Sequence, residues 1–351
     1  MVSTSGPRRA VTAFPTTEES LALQASLLDG DRAVQAWRKL SSTTSPEEAG
    51  IVWIAPLLMA NLTRLVPDDP WVKGHPHFLT LARLKGRAIT KSAEEILRCL
   101  DEASVPTMAL KGLALGASVY DWPGLRTVSD LDLLVPGKDF FRAMDALKQH
   151  GLRGGPGEPK GPSALRENHA LVFYPPKRHE PSVDLHWHVL ASARGDDDDA
   201  PFWSAARPLM IGSARTLGLG PEDQLLHVLV HGVRWTRMPH VRWVADAVLL
   251  LRRAKEGFDV EKFLEATRRF DAVVPVQEGL RFVADLCGEG RELFERSRSL
   301  RRSRFSELAF KARTTSYEDR TLAHRIALRI ETAVWAQRAR RRSSGPGGAK
   351  D

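Results

Sequence analysis

The chain is poor in cysteine, with two in 351 residues, Cys99 and Cys287, far apart. That excludes a disulfide framework and a cysteine-based zinc site, and it fits a reducing cytosol. Tyrosine is scarce as well, with three, and the interleaved aromatic and basic residues of an RNA-stacking platform are missing. Long apolar runs are absent. The best one, Val244 to Leu251, is too short to span a bilayer and contains Asp246. Arg8-Arg9 has the look of a twin-arginine signal, but Pro15 and Glu18-Glu19 interrupt any apolar core after it. The expectation is a soluble, cytoplasmic protein with no membrane partner.

What is present reads as ordinary globular protein, 42% apolar and 27% charged, long enough for two or three domains with their own cores. The net charge of +8 is compatible with nucleotide or nucleic-acid partners. Part of it is a basic C-terminal end, Arg338 and Arg340 to Arg342.

The pattern along the chain predicts six regions. Residues 1–18 are rich in Ser, Thr and Pro and are expected to be disordered. Residues 19–103 form a helical region, with a helix start at Ser45-Pro46-Glu47-Glu48 and a helix from His77 to Cys99 or beyond. Residues 104–195 form a core of mixed strands and helices: a strand ending at Leu110, a helix from Leu113 to Tyr120, an acidic strand, an amphipathic helix from Lys138 to His150, and strands at Ala170–Tyr174 and Ser182–Leu190. Residues 196–220, opening on four consecutive Asp, are expected to be a linker, 221–339 a second helical region and 340–351 a basic disordered tail. The fold class expected is α+β, a small mixed sheet flanked by N- and C-terminal helical regions.

The most informative segment is Arg126-Thr127-Val128-Ser129-Asp130-Leu131-Asp132-Leu133-Leu134-Val135. In a strand, residues i and i+2 share a face, so Asp130 and Asp132 point one way and Leu131 and Leu133 the other. Two such carboxylates repel each other unless a cation sits between them. Mg²⁺ takes carboxylate oxygens and keeps positions open for phosphate. Ser182 to Leu190 is a second alternating strand, with Asp184, His186 and His188 on one face. If the two strands are neighbours, three carboxylates meet and can hold two Mg²⁺ ions about 3.5–4 Å apart. Asp184 is then also placed to help deprotonate an attacking hydroxyl. By spacing alone, strand-end caps and an exposed-face Asp184 account for the same residues equally well.

The remaining candidates are weaker taken singly. Lys111-Gly112 ends a strand and opens a helix, where a glycine lets backbone N–H groups approach phosphate and Lys111 adds charge. An ordinary strand-to-helix turn explains the pair as well. Arg126 suits either a triphosphate or a salt bridge to the acidic cluster, and Ser129 a cap or a phosphate contact. His186 and His188 are placed to line a pocket, His186 orienting Asp184; no third His or Cys lies at a spacing suited to zinc. His227 and His231, four apart on a helix, suit core or pocket packing.

Leu110-Lys111-Gly112, Tyr120 through Arg126, Ser129 through Val135 and Val183-Asp184-Leu185-His186-Trp187 together resemble the uncharacterised nucleotidyltransferase family of bacteria, within the DNA polymerase beta nucleotidyltransferase superfamily. His227, His231 and Arg242 through Asp246 are similar to the family's helical part, so the resemblance covers roughly residues 80 to 255. It implies a metal-bound nucleoside triphosphate, with Asp130, Asp132 and Asp184 as metal ligands and Gly112 at the phosphate-binding turn. Two departures stand out: Lys111-Gly112-Leu113 replaces the superfamily's Gly-Gly or Gly-Ser turn, and Asp184 stands where the family pattern more often has Glu.

The function expected is Mg²⁺-dependent transfer of a nucleoside monophosphate from an NTP to a hydroxyl of a small molecule, protein or peptide. Two alternatives are a non-catalytic regulatory or partner-binding protein on a degenerate core, and an RNA-directed transferase drawn from the basic balance. Asp184 remote from Asp130 and Asp132 would favour the first; strongly salt-dependent RNA binding would favour the second.

Overall fold

The computed structural model describes residues 13–44, 51–166, 168–177, 179–193, 195, 198–234, 241–316 and 318–343. The helix start expected at Ser45–Glu48, Asp196 and Asp197, and most of the two terminal segments lie outside them. The first described helix, α1 (Thr17–Leu27), begins at a capping box: Thr16 Oγ1 accepts from the Glu19 amide at 3.3 Å and the Thr16 amide donates to the Glu19 carboxylate at 2.9 Å. Helices α2 (Gly30–Thr43), α3 (Ala55–Leu65), α4 (Pro70–Gly74) and the long α5 (His77–Glu102) complete the N-terminal helical region.

Strand β1 is only Met108–Ala109 and runs into α6 (Lys111–Ser118). Strand β2 (Asp130–Leu134) carries the acidic pair, followed by α7 (Phe140–Gln149) and strands β3 (Arg153–Gly154), β4 (Ala170–Tyr174) and β5 (Ser182–His186). Residues 196–220, expected to be a linker, hold a short helix, α8 (Ala200–Ser204), and two sheet strands, β6 (Arg207–Ile211) and β7 (Ala214–Gly218). Gly212-Ser213 is the two-residue hairpin loop, with Gly212 at φ +57°. That turn was the legible signal. The strands were obscured because β6 is an edge strand, carries Pro208 and is exposed along most of its length.

The rest is helical: α9 (Pro221–Gly232), α10 (Val241–Arg253), α11 (Val260–Arg269), α12 (Val273–Cys287), α13 (Arg291–Ser297), α14 (Arg304–Thr314) and α15 (Leu322–Ser343). No helix among the described residues is long and apolar enough to cross a membrane. The first and last helical regions share one core, in which Leu23, Trp37 and Leu58 meet Leu225, Val244 and Leu280.

The strands form one mixed sheet in the order β3-β4-β5-β2-β1-β7-β6. Alternation assigns its faces. Leu131, Leu133 and Val135 with Val183, Leu185 and Trp187 bury one face against Ile96, Leu97 and Leu100 of α5 and Phe140 and Met144 of α7. The indole of Trp187 is fixed there by an N–H···O bond of 2.8 Å to the Leu165 carbonyl and an edge contact with Phe140. The opposite face receives Asp130 and Asp132. Leu133 is fully buried at the centre of the sheet, so Leu133→Ala should cost about 2–5 kcal/mol through lost burial and the cavity left behind. Urea unfolding followed by circular dichroism measures it.

Candidate active site

The two acidic strands are neighbours. β2 and β5 pair in parallel, with Asp130 opposite Ser182, Asp132 opposite Asp184 and Leu134 opposite His186. Residues directly opposite on adjacent strands share a face, so Asp132 and Asp184 come together without help from any loop. β1 pairs antiparallel on the other side of β2, and the Leu110 amide donates to the Asp132 carbonyl at 2.9 Å. That bond seats the start of α6 beside the acids.

Lys111 adopts φ +46° at this junction, a left-handed conformation uncommon for a residue with a side chain. Its ammonium group lies within the acidic cluster. It is hydrogen-bonded to Asp132, and its Nζ stands 3.5 Å from Asp184 and 3.3 Å from His186 Nε2. His186 Nε2 lies 3.1 Å from Asp132 and 3.0 Å from Asp184, while its Nδ1 is buried with no partner among the described residues.

The protonation states follow from these contacts. Burial opposes ionisation of Asp184, but the His186 hydrogen bond and the Lys111 charge outweigh it and hold the carboxyl well below its usual range. Burial and Lys111 press His186 toward neutrality, and its bonds to Asp132 and Asp184 raise it nonetheless. Lys111 is raised because Asp132 and Asp184 overcome its desolvation. Asp130 differs: burial and the neighbouring Asp132 push its carboxyl up, and the one hydrogen bond it has among the described residues comes from Ser129 Oγ at 2.9 Å.

Ligand atoms of Asp132, Asp184 and His186 all lie within 4.8 Å of one another. Two facing carboxylates converging on one cationic centre, with a third on the same face short of counter-charge, form a donor set that suits a hard divalent cation. The residues therefore fit Mg²⁺, with Asp132 and Asp184 converging and Asp130 beside them. The ammonium of Lys111 occupies the same acidic seat.

Gly112 is buried in the first turn of α6, and a Cβ there would come 3.2 Å from the Arg126 guanidinium. Its smallness serves the packing of Arg126 across α6. Arg126 does not bridge to the acidic cluster. It makes a two-pronged ion pair with Asp246 of α10, both contacts 2.8 Å, and donates to the Thr127 carbonyl at 2.6 Å. Asp246 also accepts the Tyr120 hydroxyl at 2.7 Å. The network's Asp246 end was hidden in sequence, because its partners lie 120 and 126 positions away.

His188 does not join Asp184. The expected strand to Leu190 stops at His186, because the amides of Trp187 and His188 both turn to the His169 carbonyl, at 2.9 and 3.3 Å. The ring of His188 bonds Asp199 at 2.5 Å, and the Val189 amide donates to the same carboxylate at 2.8 Å. Asp199 is therefore buried and structural rather than part of a solvated run. His227 and His231 lie near each other on α9, and burial together with the Lys111 charge pushes both well below the usual histidine range.

The sequence pattern of the uncharacterised nucleotidyltransferase family matches residues 54–288. This chain belongs to that family. It is a nucleotidyltransferase, and its mixed sheet with flanking helices is the architecture expected of one. No curated protein matches it. Two solved structures of an antibiotic-resistance factor are similar at low identity. The solution structure of ANT(2'')-Ia is 15% identical, over 55% of this chain and 96% of that one, with TM-score 0.37. The crystal structure of ANT(2'')-Ia with adenylyl-2''-tobramycin is 14% identical, over 52% and 97%, with TM-score 0.37.

Two variants probe the electrostatics. Lys111→Met removes the cation from one buried and one partly buried carboxylate; it should cost on the order of 2 kcal/mol in EDTA and enlarge the gain in Tm on adding Mn²⁺, since binding to the folded state stabilises it. Equal gains in wild type and variant would contradict a shared seat. Asp246→Ala strands the buried Arg126 guanidinium and should cost about 3–5 kcal/mol, read as a lower urea midpoint.

Proposed function

We propose that this nucleotidyltransferase moves a nucleoside monophosphate from an NTP to a hydroxyl group, with Asp130, Asp132 and Asp184 as the acidic triad that holds Mg²⁺. The observation that carries this reading is the Asp132–Asp184 rung with Asp130 on the same face. The bound metal would neutralise phosphate charge and polarise the α-phosphorus.

The chain's own residues supply the rest. Asp184, oriented by His186 Nε2 at 3.0 Å, takes the proton of the acceptor hydroxyl. The freed oxygen bonds to the α-phosphorus as the bond to the β-phosphate oxygen breaks, and pyrophosphate leaves. His186 holds Asp132 and Asp184 in orientation through Nε2. Lys111, at the start of α6 beside the acids, has the reach of a flexible four-carbon stem to a phosphate oxygen of a bound nucleotide. Ser129, bonded to Asp130, orients that carboxylate, and Gly112 and Arg126 set the position of the α6 turn. Rate comes from positioning and charge complementarity, with no covalent enzyme intermediate.

An Asp184 remote from the pair would favour the non-catalytic alternative; opposite Asp132 on the ladder, it supports the catalytic reading instead. The boundaries proposed for the catalytic core are residues 104–195 extended through the β6–β7 hairpin, since β7 pairs with β1. Asp130→Asn, Asp132→Asn and Asp184→Asn should each lower transfer of label from α-³²P-NTP to components of a cell extract by a factor of at least about 100, with circular dichroism unchanged. Near wild-type transfer by any of the three would remove that residue from the triad.

A further inference from the structure

A cavity of about 520 Å³ lies between α6 and the loop that leads into β2, and no step described so far uses it. Gly112 and Gly116 of α6 line one side and Arg126, Thr127 and Val128 another. Val128 precedes Asp130 by two residues, at most about 7 Å along the chain. The volume is that of a small-molecule pocket. Its other walls are apolar and aromatic, with Trp53, Phe78, Ile89, Trp122 and Ile211 among them.

The cavity is preformed. Gly86 of α5 and Gly124 bring backbones into contact, since a Cβ at Gly86 would lie 2.4 Å from the Pro123 carbonyl oxygen and one at Gly124 2.1 Å from that of Ala82. Gly124 also needs φ +101°. Guanidinium groups stack on both indoles, Arg83 on Trp122 at 4.7 Å and Arg242 on Trp53 at 4.5 Å. Rigid walls of this kind cost little to order on binding.

Its chemistry is specific. Val52, Leu81 and Met210 line it and remain 63%, 47% and 50% exposed, among the few large apolar side chains left in water. The charged lining residues divide clearly. Arg126 is neutralised by Asp246, and Asp121 is paired with Arg253 at 3.0 Å. Lys85 lines the cavity, is exposed, and makes no ion pair among the described residues.

We propose that this cavity is the acceptor site, and that the acceptor is a hydroxyl-bearing small molecule with an apolar, ring-containing body and an anionic group that pairs with Lys85. The role as acceptor site rests on the nucleotidyl-transfer reading; the ligand chemistry rests on the cavity alone.

The test uses the full chain and two fluorescent probes without nucleotide: anionic 8-anilinonaphthalene-1-sulfonate and its uncharged relative N-phenyl-1-naphthylamine. Both should bind wild type saturably. Leu81→Glu and Met210→Glu, at exposed positions where folding is undisturbed, should weaken both at least tenfold. Lys85→Met should weaken the sulfonate tenfold and leave the uncharged probe unchanged, and Leu322→Glu on α15 should change neither. Absent saturable binding, indifference to Leu81→Glu and Met210→Glu, or equal response of both probes to Lys85→Met would overturn the ligand assignment. So would light scattering that shows a wild-type dimer dissociated by Met210→Glu, because a second copy would then cover the rim. In the transfer assay, the sulfonate should suppress labelling of extract components without displacing a fluorescent ATP analogue; displacement would make the cavity the nucleotide's own seat and overturn the acceptor assignment. Probe binding with no transfer by wild type would defeat the nucleotidyl-transfer reading and the acceptor role together, leaving the ligand chemistry in place.

Discussion

Like charges held across one rung of a parallel ladder are the constraint around which this molecule is arranged. Asp132 and Asp184 stand opposite each other on β2 and β5, and Asp132 is almost wholly buried. Left alone, such a pair would repel and one member would take up a proton. Here the repulsion is offset by Lys111 from the start of α6 and by His186 two residues along the same strand as Asp184. The short β1 strand has a role out of proportion to its length, because its pairing with β2 sets Lys111 beside the acids.

The sheet divides labour between its faces. The face toward α5 and α7 is filled by leucine, valine, phenylalanine and tryptophan and fixes the register. A slip of one residue would send Leu131 and Leu133 to the acidic side and the carboxylates into the core. The register that aligns Asp132 with Asp184 is thus enforced from the opposite side of the strands. Behind the acids, Tyr120, Arg126 and Asp246 tie the loop before β2 to α10, coupling the sheet to the C-terminal helices.

Much of this was legible in sequence because it depends on alternation. The acidic faces of β2 and β5, the helices α5 and α7 and the strand β4 were readable from periods of 2 and 3.6. What periodicity could not reach was set by distant partners. The linker expected at 196–220 became two strands because β7 finds β1 about a hundred residues upstream. His188 left the face of Asp184 because the His169 carbonyl drew two amides off the ladder and Asp199 captured the ring. Arg126, expected either to bind a triphosphate or to pair with the acids next to it, is bound to Asp246 on a distant helix.

By itself the sequence determined which residues are acidic, which alternate and which family's pattern they follow, since these are local properties of composition and spacing. Only the tertiary structure decided that Asp132 faces Asp184, that the ammonium of Lys111 lies between them, and that an apolar cavity forms between α6 and the loop before β2. Strand register and helix packing bring together groups separated by dozens of positions, and their energies depend on distances that no local pattern records. The acidic rung is therefore written in the sequence as two separate strands and exists as one site only once the sheet has formed.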